Sequence, residues 1–246
     1  MRRALAAAAA LMATVALGCG ESEEATAGVA PSFYGVAPQD VVSDADLARM
    51  SRGKIGSYHL LLNWGRTESR KDVYDFDAYD ALLGKLALNG LKPITYVYGT
   101  PDWLAKSENV PPTKSKRALK EFRDFLYIMA DRYGPGGDFW DEFALTHPGV
   151  EPQPIQIWEI WNEVNGPAFW APKPDPGEYA KLLRVSERIL HKADPEAQIM
   201  VAGMFATPSS NSAITSFDYL RKLYTKPGVA EATDLVAVHP LSLIHI

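Results

Sequence analysis

With one cysteine, Cys19, in 246 residues, the chain cannot form an internal disulfide. The first strand–helix turn, YGVAPQDVVS, lacks G-x-G-x-x-G, which leaves a dinucleotide site unsupported. H-E-x-x-H is absent, and the histidines and acids show no metal-ligand spacing, so neither a metal nor another cofactor is expected. G-x-S-x-G is also missing, which removes the serine nucleophile elbow. Basic residues are not in excess. Lys and Arg number 25 against 30 Asp and Glu, a net charge of −5, and that balance argues against a nucleic-acid partner.

What is present suits a soluble domain with a large core: 47% hydrophobic and 22% charged residues. The length fits one large α/β domain or two small ones. Residues 1–19, MRRALAAAAALMATVALGC, have a basic start, an apolar stretch and small residues before Cys19. That is the pattern of a secretory signal. Its ending, VALGC, resembles a bacterial lipobox with Cys19 as the lipid-bearing residue; the alternative is an ordinary signal whose cysteine is incidental. Residues 20–31 read as a polar tether. The expected location is extracellular or on a bacterial cell envelope, with the membrane reached only through a lipid on Cys19.

From residue 32 to residue 240, apolar runs alternate with helical patterns and no repeat or domain break intervenes. The periodicities predict strands at 33–37, 55–62, 92–98, 155–161, 198–203 and 234–238, with helices between them. Ser43 is a predicted N-cap, and Gly53 and Gly134 are predicted stops. Residues 135–152, rich in Gly, Pro and aromatics, are predicted to be a long loop. Strands alternating with helices imply parallel pairing through right-handed crossovers.

The chemistry-bearing residues fall just after strands: Asn63-Trp64, Thr100 to Trp103, Asn162-Glu163 and His239. A (β/α)₈ barrel carries its active site at the C-terminal strand ends, so this placement favours a barrel over an open doubly wound sheet. Glu163 is the principal candidate. An acid partly withdrawn from water keeps its proton to higher pH, and such an acid can protonate a leaving group. Trp158, Trp161 and Phe169 flank Glu163 in sequence. Asn162 can donate and accept hydrogen bonds to a sugar hydroxyl. Trp64, Trp103, Trp161 and Trp170 offer flat faces for the apolar side of a sugar ring. Against this stands the plain alternative that the tryptophans are core. Glu159, on the same strand, reads as a buried structural acid that needs a partner, with His59 or Arg66 available on the second strand. His191 reads as a helix-end contact, and His147 has no assigned role.

WEIWNEVN resembles W-x-x-W-N-E-P-N, the fourth-strand signature of the retaining glycoside hydrolases of clan A, which are (β/α)₈ barrels; families 39 and 5 are nearest. Weaker likenesses in the same order include YDFDAYD after the second strand, YVYGTPDWL at the third, RYGPGGDFW before the fourth and VAVHP at the sixth. The resemblance implies a carbohydrate substrate. It implies Glu163 as general acid/base, Asn162 as the residue that holds the 2-hydroxyl, and His239 as a sixth-strand group near the reaction centre. It places a second Glu, the nucleophile, on a seventh strand. Val164 departs from the pattern by replacing proline.

About six of the eight βα units of a barrel are expected within 32–240. Residues 241–246, LSLIHI, match the translation of a transposase end sequence used in sequencing libraries and are expected to be foreign to the gene product. The chain then reads as an N-terminal piece of an exported hydrolase that is itself inactive. The rival reading is a carbohydrate-binding barrel that does no catalysis; a third is an unrelated, metal-dependent barrel hydrolase. Glu68 and Asp102 are the nearest alternative acids, should a nucleophile have to come from these residues.

Overall fold

The computed structural model describes residue 30 and residues 33–240. The predicted signal with Cys19, nearly all of the tether, and the tail 241–246 lie outside the described residues. The chain divides into Met1–Ala30 and Pro31–Ile246, and the architecture below is that of the second unit.

Six strands form one sheet: β1 (Gly35–Val36), β2 (Ser57–Asn63), β3 (Lys92–Tyr98), β4 (Ile157–Ile160), β5 (Gln198–Phe205) and β6 (Leu235–His239). All neighbours are parallel and the spatial order is the sequence order. A doubly wound sheet reverses its order at a switch point. This sheet never reverses, and it curls as an incomplete (β/α)₈ barrel with β1 and β6 at its edges. Five of the predicted strands appear within a few residues of their expected ends, while β1 is reduced to two residues.

The helices are α1 (Asp44–Arg52), α2 (Trp64–Thr67), α3 (Asp77–Leu88), α4 (Lys116–Tyr133), α5 (Asp138–Thr146), α6 (Pro176–Ala193) and α7 (Ser216–Leu223). Side-chain caps fix where several begin. Ser43 accepts from the Asp46 amide and Ser115 from that of Ala118. Asp175 accepts from Gly177 and Glu178, with Pro176 in the first turn, where a missing N–H costs nothing. Gly53 and Gly134 close α1 and α4 as expected.

The long loop predicted at 135–152 is a correction, because it contains α5. Phe139, Trp140 and Phe143 bury one face of that short helix, and the Trp140 indole donates to the Tyr133 carbonyl. Nine residues between Gly-rich and Pro-containing flanks give too little periodicity to distinguish a helix from an aromatic loop. Between α3 and α4, Asp80 accepts from both Arg132 and the Tyr133 hydroxyl.

The two faces of the strands differ in kind. Helix-facing residues such as Leu60, Leu62, Val97, Ile160, Ile199 and Val201 are buried and apolar. The inner face of the curl bounds a cavity of about 270 Å³, whose lining includes His59, Ile94, Glu159, Met200, Ala237 and His239. Ionisable groups therefore concentrate inside the curl. On β6 the outward-facing Val238 is 61% exposed.

Candidate active site

The site begins with an abrupt change of backbone at the end of β4. Trp161 (φ 74°) and Glu163 (φ 36°) are both left-handed, which non-glycine residues adopt at a cost of about 1–3 kcal/mol each unless the surroundings over-determine it. Here they do. The Trp161 amide donates to the Val97 carbonyl on β3 at 2.9 Å, and the Glu163 amide donates to the Gly203 carbonyl on β5 at 3.0 Å. The Trp161 indole is fully buried, edge-on to Tyr98 and Trp170. One strained residue anchors the turn in the core, and the other leaves it carrying the carboxyl. Asn162, between them, is nearly buried.

Glu163 Oε1 lies 3.0 Å from His239 Nδ1 at the end of β6. Oε2 remains for a second partner. Both side chains are largely covered but reach solvent. The hydrogen bond that Glu163 accepts raises the His239 pKa, burial opposes that rise, and the charges of Glu159 and Glu163 add to it.

One pleat repeat deeper sits a second acid–histidine pair. Glu159 is 1% exposed. Its Oε2 is 2.8 Å from His59 Nε2 on β2, and its Oε1 accepts from the Gly203 amide at 2.6 Å. Of the two partners expected for Glu159, His59 takes the role. His59 also stacks on Tyr96 of β3 with ring centroids 4.8 Å apart. Burial, and then the charge of Glu159, raise the Tyr96 pKa.

The tryptophan assignments need correction. Trp64 is 0% exposed. It packs between Phe122 and Phe125 of α4, and its indole donates to Glu68 Oε2 at 2.7 Å. Trp161 and Trp170 are equally buried. A ring without accessible surface cannot stack on a sugar, so none of these three is a sugar platform. Trp103 is half-buried, with its indole donating to the Glu68 carbonyl and its ring edge-on to Trp64. The expected cluster therefore separates. Glu163, His239, Glu159 and His59 gather in the curl, whereas Trp64, Trp103 and Glu68 join α2 to α4.

Glu68 is buried, and burial raises its pKa while the Trp64 hydrogen bond opposes the rise. Enclosed on the helix side, it is not placed to be a nucleophile; Asp102 is exposed. His191 bonds Glu187 and the Ala197 carbonyl at the end of α6, the contact its position suggested. His147 stacks on Phe143 at the end of α5. Among the described residues, no group of three or more His, Cys, Asp or Glu side chains could hold a metal ion.

Three supporting residues escaped the sequence reading. Tyr179 of α6 is fully buried; its hydroxyl donates to the Ile160 carbonyl and accepts from the Ala202 amide, linking β4 to β5. Asn165 donates to the carbonyls of Phe205 and Ile214, the two ends of the β5–α7 loop. Gly203 contacts both acid–histidine pairs. A lone glycine within a strand pattern signals a bulge or a close approach, so Gly203 could have been found. Tyr179 is indistinguishable in sequence from any other position on an apolar helix stripe.

No protein-family model matches the chain. Over 83 residues it is 25% identical to an intracellular exo-α-(1→5)-L-arabinofuranosidase from Halalkalibacterium halodurans, covering 34% of this chain and 15% of that protein. Its fold is similar to that of a family 39 glycoside hydrolase from Bacteroides cellulosilyticus WH2, with TM-score 0.50, 18% identity, and coverage of 69% of this chain and 32% of the other. It is also similar to a monomeric β-xylosidase from Caulobacter crescentus CB15, with TM-score 0.54, 19% identity, and coverage of 84% and 41%. The chain spans less than half the length of each. At these identities the likeness establishes the fold, and the neighbours are glycoside hydrolases, as the fourth-strand motif implied.

Proposed function

We propose that the protein is a glycoside hydrolase acting with retention on an oligo- or polysaccharide, with Glu163 as general acid/base. The observation that carries the reading is the Glu163–His239 pair at the C-terminal ends of β4 and β6 in a parallel, barrel-like sheet. Glu163 protonates the glycosidic oxygen as the bond to the leaving group breaks, and then takes a proton from the water that releases the sugar. As Glu163 gives up its proton, the His239 N–H meets a growing negative charge, and a hydrogen bond to an ion is roughly twice as strong as one between neutral groups. Asn162 is the candidate for holding the sugar hydroxyl beside the reacting carbon.

Retention needs a second carboxylate roughly 5–5.5 Å from the first. Glu159 is not free for that role, because both of its oxygens are engaged. The resemblance places the nucleophile on a seventh strand, which is not among the described residues, and the proposal takes it from there. Export and lipid attachment through Cys19 belong to the same reading and rest on residues 1–19 alone.

The test is Glu163→Gln in the full-length enzyme. Gln keeps the shape but cannot shuttle a proton, so turnover of substrates with poor leaving groups should fall by about 10²–10⁴-fold. Aryl glycosides with good leaving groups need less protonation and should lose less in the first step. Equal, small losses for both substrate types would remove Glu163 from this role.

A further inference from the structure

Gly203 lies where β5 departs from regular pairing. Val201 pairs with Val236 and Met204 with Val238, so two β5 residues, Ala202 and Gly203, stand opposite Ala237 alone. Such a bulge re-aims the residues around it and is common beside active sites. Two of the hydrogen bonds at this bulge go to groups outside the ladder: the Ala202 amide to the Tyr179 hydroxyl and the Gly203 amide to Glu159. The Gly203 carbonyl, released on the other side, accepts the Glu163 amide.

The reason for glycine here is steric rather than conformational. Gly203 is not among the residues with positive φ, so alanine could adopt its backbone. A Cβ built on it would instead overlap the His239 imidazole at Nε2, Cδ2 and Cε1. That ring rests against the bare Cα, and from there Nδ1 reaches Glu163.

Building on Glu163 as the acid/base, we infer that Gly203 is a positioning residue. Its carbonyl sets the backbone that carries Glu163, its missing side chain seats the His239 ring, and the buried Glu159 carboxylate holds it in place. The deep Glu159–His59 pair thereby fixes the shallow Glu163–His239 pair through one residue, by its N–H on one side and its carbonyl on the other, without touching the substrate.

The experiment compares Gly203→Ala, His239→Ala and the double variant in this chain, following folding by circular dichroism and the His239 ring by NMR titration. The groups facing that ring are Glu163 and Glu159 of β4. Gly203→Ala should retain the fold and move the His239 titration down toward the ordinary value near 6.5, because the ring is driven off Glu163. In the catalytically active enzyme kcat should fall by on the order of 10²-fold, as a misplacement of about 1 Å can cost that much, with KM unchanged. Added to His239→Ala, the glycine substitution should cost little more, since the ring whose atoms lie nearest the added Cβ is gone. If Gly203→Ala alone does not fold, a folded double variant gives the same answer. An unchanged His239 titration in folded Gly203→Ala would overturn the inference, and so would a double variant that fails to fold while His239→Ala folds. The titration needs no turnover, so an inert Glu163→Gln would defeat the acid/base reading while leaving this coupling separately tested.

Discussion

Replacing Trp64 separates a core role from a sugar-binding role, because the structure gives it two separable duties. Its ring fills the space between Phe122 and Phe125, and its N–H serves the buried Glu68 carboxyl. Trp64→Phe keeps much of the volume and removes the donor. An ion or polar group left short of a buried partner costs about 1–3 kcal/mol. With a urea m-value of about 2–3 kcal/mol/M, the unfolding midpoint should fall by about 0.3–1.5 M. Trp64→Ala adds a cavity and should cost about 3–5 kcal/mol or more. The Phe variant also carries a pH signature. Glu68 has a folded pKa raised above 4.5, mainly by burial, so the folded state holds a proton that the unfolded state releases, and stability falls as pH rises through that window. Without the Trp64 donor the folded pKa rises further. The deficit relative to wild type should therefore be smallest near pH 4.5 and larger at pH 7. Denaturation at both pH values checks the core role, and substrate KM, expected to be unaltered, checks the absence of a binding role. A Trp64→Phe variant with an unchanged midpoint and a tenfold higher KM would refute the burial argument and restore Trp64 to the cleft.

The inner pairs give two further tests. His59→Ala leaves Glu159 buried with only the Gly203 amide, and a buried polar group that loses a partner costs about 1–3 kcal/mol, or roughly 2–12 °C in Tm for a domain of this size; an unchanged Tm would show that the pair does not contribute to stability. His239 has a folded pKa raised above 6.5, so its contribution to stability is fully present below 6.5 and is lost as pH rises through the folded value. Unfolding midpoints of wild type and His239→Ala should converge above that pH, and a gap that widened instead would invert the assigned sign.

The barrel was legible because its signals are repetitive. Each of α4 and α6 spans 18 residues with an apolar stripe and a capped start, and β2 and β3 are seven residues long, with buried positions alternating until the last residue of each. Averaging over that many positions suppresses local accidents. Short elements lack this protection, which is why α5 read as a loop and α2, four residues long, went unnoticed. That Glu163 and His239 would come together was legible for another reason. A polar residue directly after an apolar strand has few places to go other than the mouth of the sheet, and the fourth-strand motif narrowed the choice to one acid.

The aromatic residues mark where such reading stops. Trp64 and Trp161 each follow a strand directly, and Glu163 and His239 also stand at strand ends, yet both tryptophans turn into the core. Position along the chain set the height of each residue in the barrel but left its direction open. For Trp161 the direction follows from a left-handed backbone, and for Trp64 from the immediate start of α2, which points the ring at α4. Neither property is encoded by the residue's own type. The same holds for Gly203, whose glycine is explained by a histidine 36 positions later on the next strand. Side-chain direction at the strand ends is set by neighbours distant in sequence: the buried Trp161 indole, edge-on to Tyr98 and Trp170, anchors the turn that carries the Glu163 carboxyl.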